Sequence, residues 1–441
     1  MTDTGTDRRH FTKAVTEFGE KRPILTTQVI FNDRGIKILG KGISVNAGLY
    51  ERLMAHTLVV PIEDCVTSTP AITGSILRAQ AGFAMSEMPF FNRLCADAKT
   101  RELLLTAMEE VPLPSAMAFQ LTLAYHVYPT LFRHLINMGV FAAWMSSGPL
   151  AVRFDVSLAA AAGLLHDIGM LHIDPVLLMP GALIGPDHKR QLESHALVSV
   201  ALIERHHMYP RELLRAVKEH HEFLDGSGYP LHLHEPAISP LGRILSLGEL
   251  VTTILTPKHP VSELRLSLLL RMNKHRYDAT MVERVLQHLN PTCEVQNSDL
   301  TLLPDPVHQL RVIDAILAEW PSDLLPPGVA ADPHREGFGA VAEQVAQLRR
   351  TLATVGVAPQ QLAQLGSDVL DGSLQLELSL LAREAAWQLR ALARNTNQHW
   401  RVQAGDQYPA ALRAWSERAE AVLADLNSAG AMTEDDKGGR S

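Results

Sequence analysis

The chain has 441 residues, 46% hydrophobic and 20% charged, the composition of a soluble globular protein too long for one ordinary core; at about 100–200 residues per domain it should divide into two to four units. A net charge of −8 and a pI near 6.2, with no basic run, argue against duplex nucleic acid or an acidic membrane surface as partner. Cys65, Cys95 and Cys293 lie far apart without Cys-x-x-Cys spacing, which excludes a thiolate zinc site and argues against a disulfide framework.

The N-terminal MTDTGTDRRHFTK is polar, and no stretch reaches about 18 uninterrupted apolar residues, so neither an export signal nor a membrane span is expected and the expected location is cytoplasmic. Residues 1–112 read as a small α+β domain. QVIF (28–31) and IKIL (36–39) flank Asn32-Asp33-Arg34-Gly35, whose residues suit a hairpin turn. A helix over 46–56, a strand at TLVVPI (57–62) and helices to about 110 complete it, and Val-Pro-Leu-Pro-Ser (111–115) forms a boundary because two prolines break regular helix.

From 116 the apolar spacing is helical nearly throughout, as in FQLTLAYHVYPTLFRHLINMGVFAAWM and VSLAAAAGLLHDIGM, and predicts an all-helical domain over 116–320. The proline- and glycine-rich WPSDLLPPGVAADPHREGFG (320–339) marks a second boundary. A C-terminal helical region follows over 338–427. There Leu374, Leu378, Leu381, Ala385, Leu389 and Leu392 step by three and four, which suits either a homodimer contact or a helix packed on its own domain. Residues 428–441 read as a disordered tail. The overall expectation is a mainly α protein.

Twelve of the twenty histidines fall between His126 and His234. Singly, a helical histidine is more often a core or surface residue than a ligand; the order of the signals carries more. His166-Asp167 ends an alanine- and leucine-rich buried helix, where an unpaired carboxylate would bear a large desolvation cost. His134 lies on the preceding helix, His195 on the next, His220-His221 open HHEFLDGSGYP (220–230), and Glu249 follows on GRILSLGELVTTIL. Antiparallel helices could gather all of these at one point. A helical zinc-protease site is excluded, because the residue four after His221 is Asp225, not histidine. Imidazole and carboxylate without thiolate suit iron or manganese better than structural zinc, and one aspartate can bridge two ions.

LLHDIGMLHID and HHEFLDGSGYP, with the spacing from His134 to Glu249, resemble the HD-GYP family of metal-dependent phosphodiesterases within the HD phosphohydrolase superfamily. The resemblance covers about 116–295. It implies an all-helical HD-type domain that opens cyclic di-GMP to linear pGpG and/or GMP, in signal transduction and with protein partners. It also implies two divalent metal ions sharing a hydroxide: His134, His166 and Glu249 on one, His195, His220 and His221 on the other, and Asp167 between them. His166 and Asp167 are the expected catalytic pair, Arg243 and Lys258 are candidate phosphate contacts, and Glu222 is expected to support the ligand histidines.

Three positions depart from the family pattern. Met170 replaces a lysine that helps hold phosphate, Glu249 replaces an aspartate, and Thr130 stands where three-metal members carry glutamate, so two metals are expected. Met170 and Glu249 keep two alternatives open: a module that binds metal or cyclic di-GMP without turnover, and a hydrolase of another phosphate ester or cyclic dinucleotide.

Overall fold

Phe11, Ala14, Val15 and Phe18 recur at helical spacing and are all buried, and they define the inner face of α1 (Thr4–Gly19). This helix is the element the sequence reading passed over, because the polar residues before Phe11 masked a short apolar stripe. The computed structural model describes residues 4–148, 153–178, 186–255, 261–291, 302–321, 333–364, 372–404 and 410–429.

After α1 come two small antiparallel sheets. β1 (Ile24–Thr26) pairs with β4 (Val66–Ser68), and β2 (Ile30–Phe31) pairs with β3 (Lys37–Leu39) in the expected hairpin. The Asn32 carboxamide closes the turn by accepting from the amides of Arg34 and Ile36. The expected helix at 46–56 is a 3₁₀ turn followed by α2 (Tyr50–Met54). The strand expected at 57–62 makes only an isolated bridge, Asn32 to Leu58, and the paired strand lies further on at 66–68. Pro61 lacks the N–H that a continued ladder needs.

Helices α3 (Gly74–Glu87), α4 (Pro89–Leu94) and α5 (Ala98–Glu109) then lead to the proline boundary. Beyond it run α6 (Ser115–Val127), α7 (Pro129–Ser146), α8 (Arg153–Leu165), a 3₁₀ turn at Ile168–His172, α9 (Pro186–Glu204), α10 (Arg211–Glu219) and α11 (Pro240–Ile254). Next come α12 (Ser262–Met272) and α13 (Ala279–Leu286). The mainly helical architecture with a small α+β unit in front is as expected. No helix among the described residues is long and apolar enough to cross a membrane.

The chain divides into two compact units, and the division does not follow the prolines at 320–339. One unit holds Met1–His259 and His275–Leu289, so the N-terminal α+β segment and helices α6–α11 pack together. The other holds Pro260–Lys274 and Asn290–Asp436. It contains α12, α14 (Pro306–Ala318), α15 (Pro333–Thr354), α16 (Pro359–Leu362), α17 (Gly372–Ala404) and α18 (Ala410–Ala429). Leu378, Leu381, Ala385, Leu389 and Leu392 of α17 are buried in this unit's own core with Leu310, Ile313, Leu352, Trp415 and Leu423. The stripe that suited a dimer contact is therefore spent inside the unit. Most of the expected disordered tail, from 430, lies outside the described residues, and α18 itself extends to Ala429.

α1 packs on the 3₁₀ turn at 168–172 through one aromatic pair. The Phe11 ring stacks on the buried His172 imidazole at 4.2 Å and 1°. His172 Nε2–H donates to Gln120 Oε1 at 3.2 Å. Burial lowers the His172 pKa from 6.5 to about 4, so this imidazole is neutral in the fold. Above pH 6.5 its burial has no linkage cost; below it the unfolded chain takes up a proton that the fold refuses, and stability falls until pH reaches about 4. The full loss is on the order of 3 kcal/mol. Urea unfolding at pH 7.5 and pH 5 should show a shallower pH dependence for His172→Phe, which keeps the stack and removes the titration.

Candidate metal centre

Helices α7 and α8 cross at Met138 and Gly163. A Cβ on Gly163 would lie 2.4 Å from the Met138 carbonyl oxygen, so only glycine permits this approach. The helices are antiparallel, and His134, one turn before Met138, therefore meets His166, one turn after Gly163. α11 packs against both and brings Glu249 to the same place. His134 Nε2 is 3.2 Å from His166 Nε2 and from Glu249 Oε1, and His166 Nε2 is 2.8 Å from Glu249 Oε1.

Asp167 stands where α8 breaks into the 3₁₀ turn, and its two oxygens face opposite ways. Oδ2 looks toward the first group, 3.5 Å from His166 Nε2 and 3.8 Å from His134 Nε2. Oδ1 looks toward α9 and α10, 3.0 Å from His195 Nε2 and 3.4 Å from His220 Nε2. His195 Nε2 in turn lies 3.1 Å from His220 Nε2 and 3.2 Å from His221 Nε2. Two groups result, His134-His166-Asp167-Glu249 and Asp167-His195-His220-His221, each with its ligand atoms within 4.8 Å of one another and Asp167 in both. All seven residues expected as ligands from the sequence are thus brought to one place.

Backbone chemistry orients the rings. His166, His195 and His220 each donate Nδ1–H to the carbonyl three residues earlier, on Gly163, Leu192 and Val217. His134 Nδ1–H donates to Thr252 Oγ1 at 3.3 Å, and the Thr252 hydroxyl passes its own proton to Gly248 O. With Nδ1 engaged by these acceptors, Nε2 of each ring turns toward the centre, where a neutral ring presents a lone pair. Asp167 Oδ1 is buried and makes no hydrogen bond despite its imidazole neighbours. Converging lone pairs and an orphaned carboxylate oxygen fit divalent cations between them.

The electrostatics agree. Burial works against a His166 cation, yet Asp167 and Glu249 hold its pKa up at about 10. Burial also opposes charge on Asp167 and Glu249, but the facing imidazoles keep both carboxyls well below their usual range. Burial, with the neighbouring His220 and His195, pushes His221 far down. Positive charge is thus strongly favoured between these groups, and a proton on His166 meets part of that demand. The side chains of His134 and Glu249 are 19% and 18% exposed, against 0% for His166 and His220, so the first two form the mouth.

Residues 153–281 match the sequence family described as HD domain. This HD-domain match takes in the segment from α8 to α13, which carries His166 through Glu249, and with the relatives below it supports an HD-GYP assignment. A cyclic di-GMP phosphodiesterase of Vibrio cholerae is 30% identical over 135 residues, 28% of this chain and 27% of that protein. A probable cyclic di-GMP phosphodiesterase of the same organism is 31% identical over 134 residues, 28% of this chain and 30% of that protein. A 3'3'-cGAMP-specific phosphodiesterase, also from Vibrio cholerae, is 27% identical over 150 residues, 34% of this chain and 31% of that protein. The chain therefore spans less than a third of the length of these relatives. No solved structure matches the chain significantly.

Other expected residues fall differently around this centre. Arg243 is held by Glu235 at 3.2 Å, Asp278 at 3.3 Å and the Ile238 carbonyl at 3.2 Å, partners that account for its charge without a phosphate. Lys258 lies outside the described residues. Glu222 does not contact the ligand imidazoles; its buried carboxylate accepts from the amides of Leu231 and Leu233, at 2.5 and 2.9 Å. Met170 is buried with Ile173, Leu177 and Leu192 in a small apolar cluster beside Asp167. Thr252 escaped the sequence reading, although its place three residues after Glu249, one turn along the same face, was the available signal.

The 3₁₀ turn sits on α9 only because residue 169 is glycine: a Cβ there would lie 2.3 Å from His195 O and 2.8 Å from Ser199 N. The Gly169 amide also donates to Ser199 Oγ at 2.9 Å. Gly169→Ala should separate Asp167 from His195, lowering stability by about 1–3 kcal/mol and metal content in the same preparation. Urea unfolding paired with metal quantification checks both.

Proposed function

We propose that this HD-GYP domain is a metal-dependent phosphodiesterase that hydrolyses a cyclic dinucleotide, with cyclic di-GMP as the leading substrate and linear pGpG and/or GMP as products. The observation that carries the reading is Asp167, whose two oxygens face two separate ligand groups. His134, His166 and Glu249 would hold one divalent cation, His195, His220 and His221 a second, with Asp167 serving both; the thiolate-free donor set favours iron or manganese. Two such cations, when bound, lower the pKa of a shared water and neutralise charge at phosphorus during in-line displacement.

The protein's own contribution is placement. The four acceptors at Nδ1 fix ring orientation and tautomer before any ligand arrives, which limits reorganisation. Buried His166, His195 and His220 form a dry floor, where electrostatic interactions are stronger than in water. The partly exposed His134 and Glu249 leave the open side to a phosphodiester. Glu249 reaches His166 and His134 directly, which supports a ligand role despite the extra methylene.

Two observations favour other readings. Met170 packs in an apolar cluster and brings no charge to a phosphate, as a binding module without turnover would tolerate. The 3'3'-cGAMP-specific relative favours a different cyclic dinucleotide. Anaerobic purification, metal quantification and incubation with cyclic di-GMP and 3'3'-cGAMP separate these readings. Wild type is expected to cleave cyclic di-GMP, and Asp167→Ala to lose both metal and activity. Metal-loaded wild type that binds cyclic di-GMP and leaves it intact would support the module instead. Because paired cations supply most of the charge stabilisation, Met170→Lys should change kcat/KM by less than about tenfold. A larger gain at equal metal content would identify the missing charge as limiting.

A further inference from the structure

The GSGYP part of HHEFLDGSGYP is not used by the metal ligands themselves, yet its geometry converges on one of them. Four of the five imidazoles in the centre have Nδ1 fixed by an oxygen acceptor: Gly163 O, Leu192 O, Val217 O and Thr252 Oγ1. His221 is the exception. Among the described residues its Nδ1 has no acceptor, and its hydrogen-bond contact is Nε2 to His195 Nε2 at 3.2 Å.

In place of an acceptor, His221 carries a ring. The Tyr229 phenol lies on the His221 imidazole with centroids 4.6 Å apart and planes 24° from parallel, and it meets His195 edge-on at 6.4 Å. The turn is shaped to hold it there. Tyr229 N–H donates to His221 O at 3.1 Å. A Cβ on Gly228 would lie 2.3 Å from that same oxygen and 2.5 Å from Glu222 Cα, so the loop can lie this low only with glycine at 228. Asp225 Oδ1 accepts from the amide and hydroxyl of Ser227 at 3.0 and 2.6 Å, and Glu222 holds the far end through Leu231 and Leu233. Ser246 Oγ–H, on α11, donates to Glu222 O at 2.8 Å and ties the assembly to the helix that carries Glu249.

We infer that Tyr229 is a positioning residue: its ring does for His221 what a hydrogen-bond acceptor does for the other four imidazoles, keeping Nε2 turned toward the Asp167-His195-His220 group. The inference rests on reading that group as a metal site. A stacked ring restrains tilt and leaves both nitrogens unbonded from behind, so the aromatic face matters and the phenol hydroxyl does not. Losing a partner of this kind typically costs about 10–100-fold in metal affinity.

The test uses the full chain stripped of metal and titrated anaerobically with Co²⁺ alone, reading stoichiometry, affinity by chelator competition and the visible absorption of bound cobalt. Wild type and Tyr229→Phe should each bind two equivalents with the same spectrum. Tyr229→Ala should bind one equivalent as wild type does and the other about 10–100-fold more weakly, with an altered spectrum. His221→Ala should weaken the same equivalent, and the double variant should be no worse than His221→Ala, since Tyr229 acts through that ring. Unchanged affinity in Tyr229→Ala, failure of Tyr229→Phe to match wild type, or additive losses in the double variant would overturn the positioning role. Wild type that takes up less than two equivalents would overturn the two-metal reading beneath it, and the inference with it.

Discussion

Two carboxylates and five imidazoles meet around Asp167 in a largely dry site, and they can coexist there only with positive charge between them. Asp167 and Glu249 are held ionised, while burial penalises every charge that is not answered. A proton on His166 answers part of this. A pair of divalent cations would answer it fully, and the proton and the metal then compete for the same lone pairs. The close crossing at Gly163, the seat of the 3₁₀ turn on α9 and the carbonyl acceptors behind the rings all keep these groups together against their own desolvation.

This demand also explains why the N-terminal segment belongs to the same compact unit as the metal centre. The turn that carries Asp167 is too short to be stable alone. It is clamped from one side by α9, through Gly169 and Ser199, and from the other by α1, through Phe11 on His172. Disturbance of α1 therefore reaches His172, five positions from Asp167. The C-terminal helices meet a different constraint, since their leucines bury one another in a separate core.

Much of this was legible in the sequence. The order His134, His166-Asp167, His195, His220-His221 and Glu249 on helical segments picked out the side chains that the fold gathers around Asp167, because few other arrangements tolerate a carboxylate after an alanine-rich buried helix. The hairpin at 30–39 followed from Asn32 and Gly35, and the helical middle from its apolar period. Local pattern failed where pairing partners decided the outcome. TLVVPI had the composition of a strand, but Pro61 and the register of β1 gave the ladder to Val66–Ser68. Arg243, a candidate phosphate contact by its position, has Glu235 and Asp278, eight and thirty-five residues away, beside it, and its local pattern did not reveal these partners. α1 was missed although Phe11, Ala14, Val15 and Phe18 carried its period.

Which residues could ligate, and that they stand on successive helices, follows from residue type and spacing, which are local properties. That Asp167 Oδ1 and Oδ2 face different groups, that Thr252 and not Glu222 stands behind the His134 ring, and that the Tyr229 ring lies on His221 came from the packing of the whole fold. Those outcomes depend on helix crossings and on a loop folding back over its own start, and close approaches of that kind are set by packing.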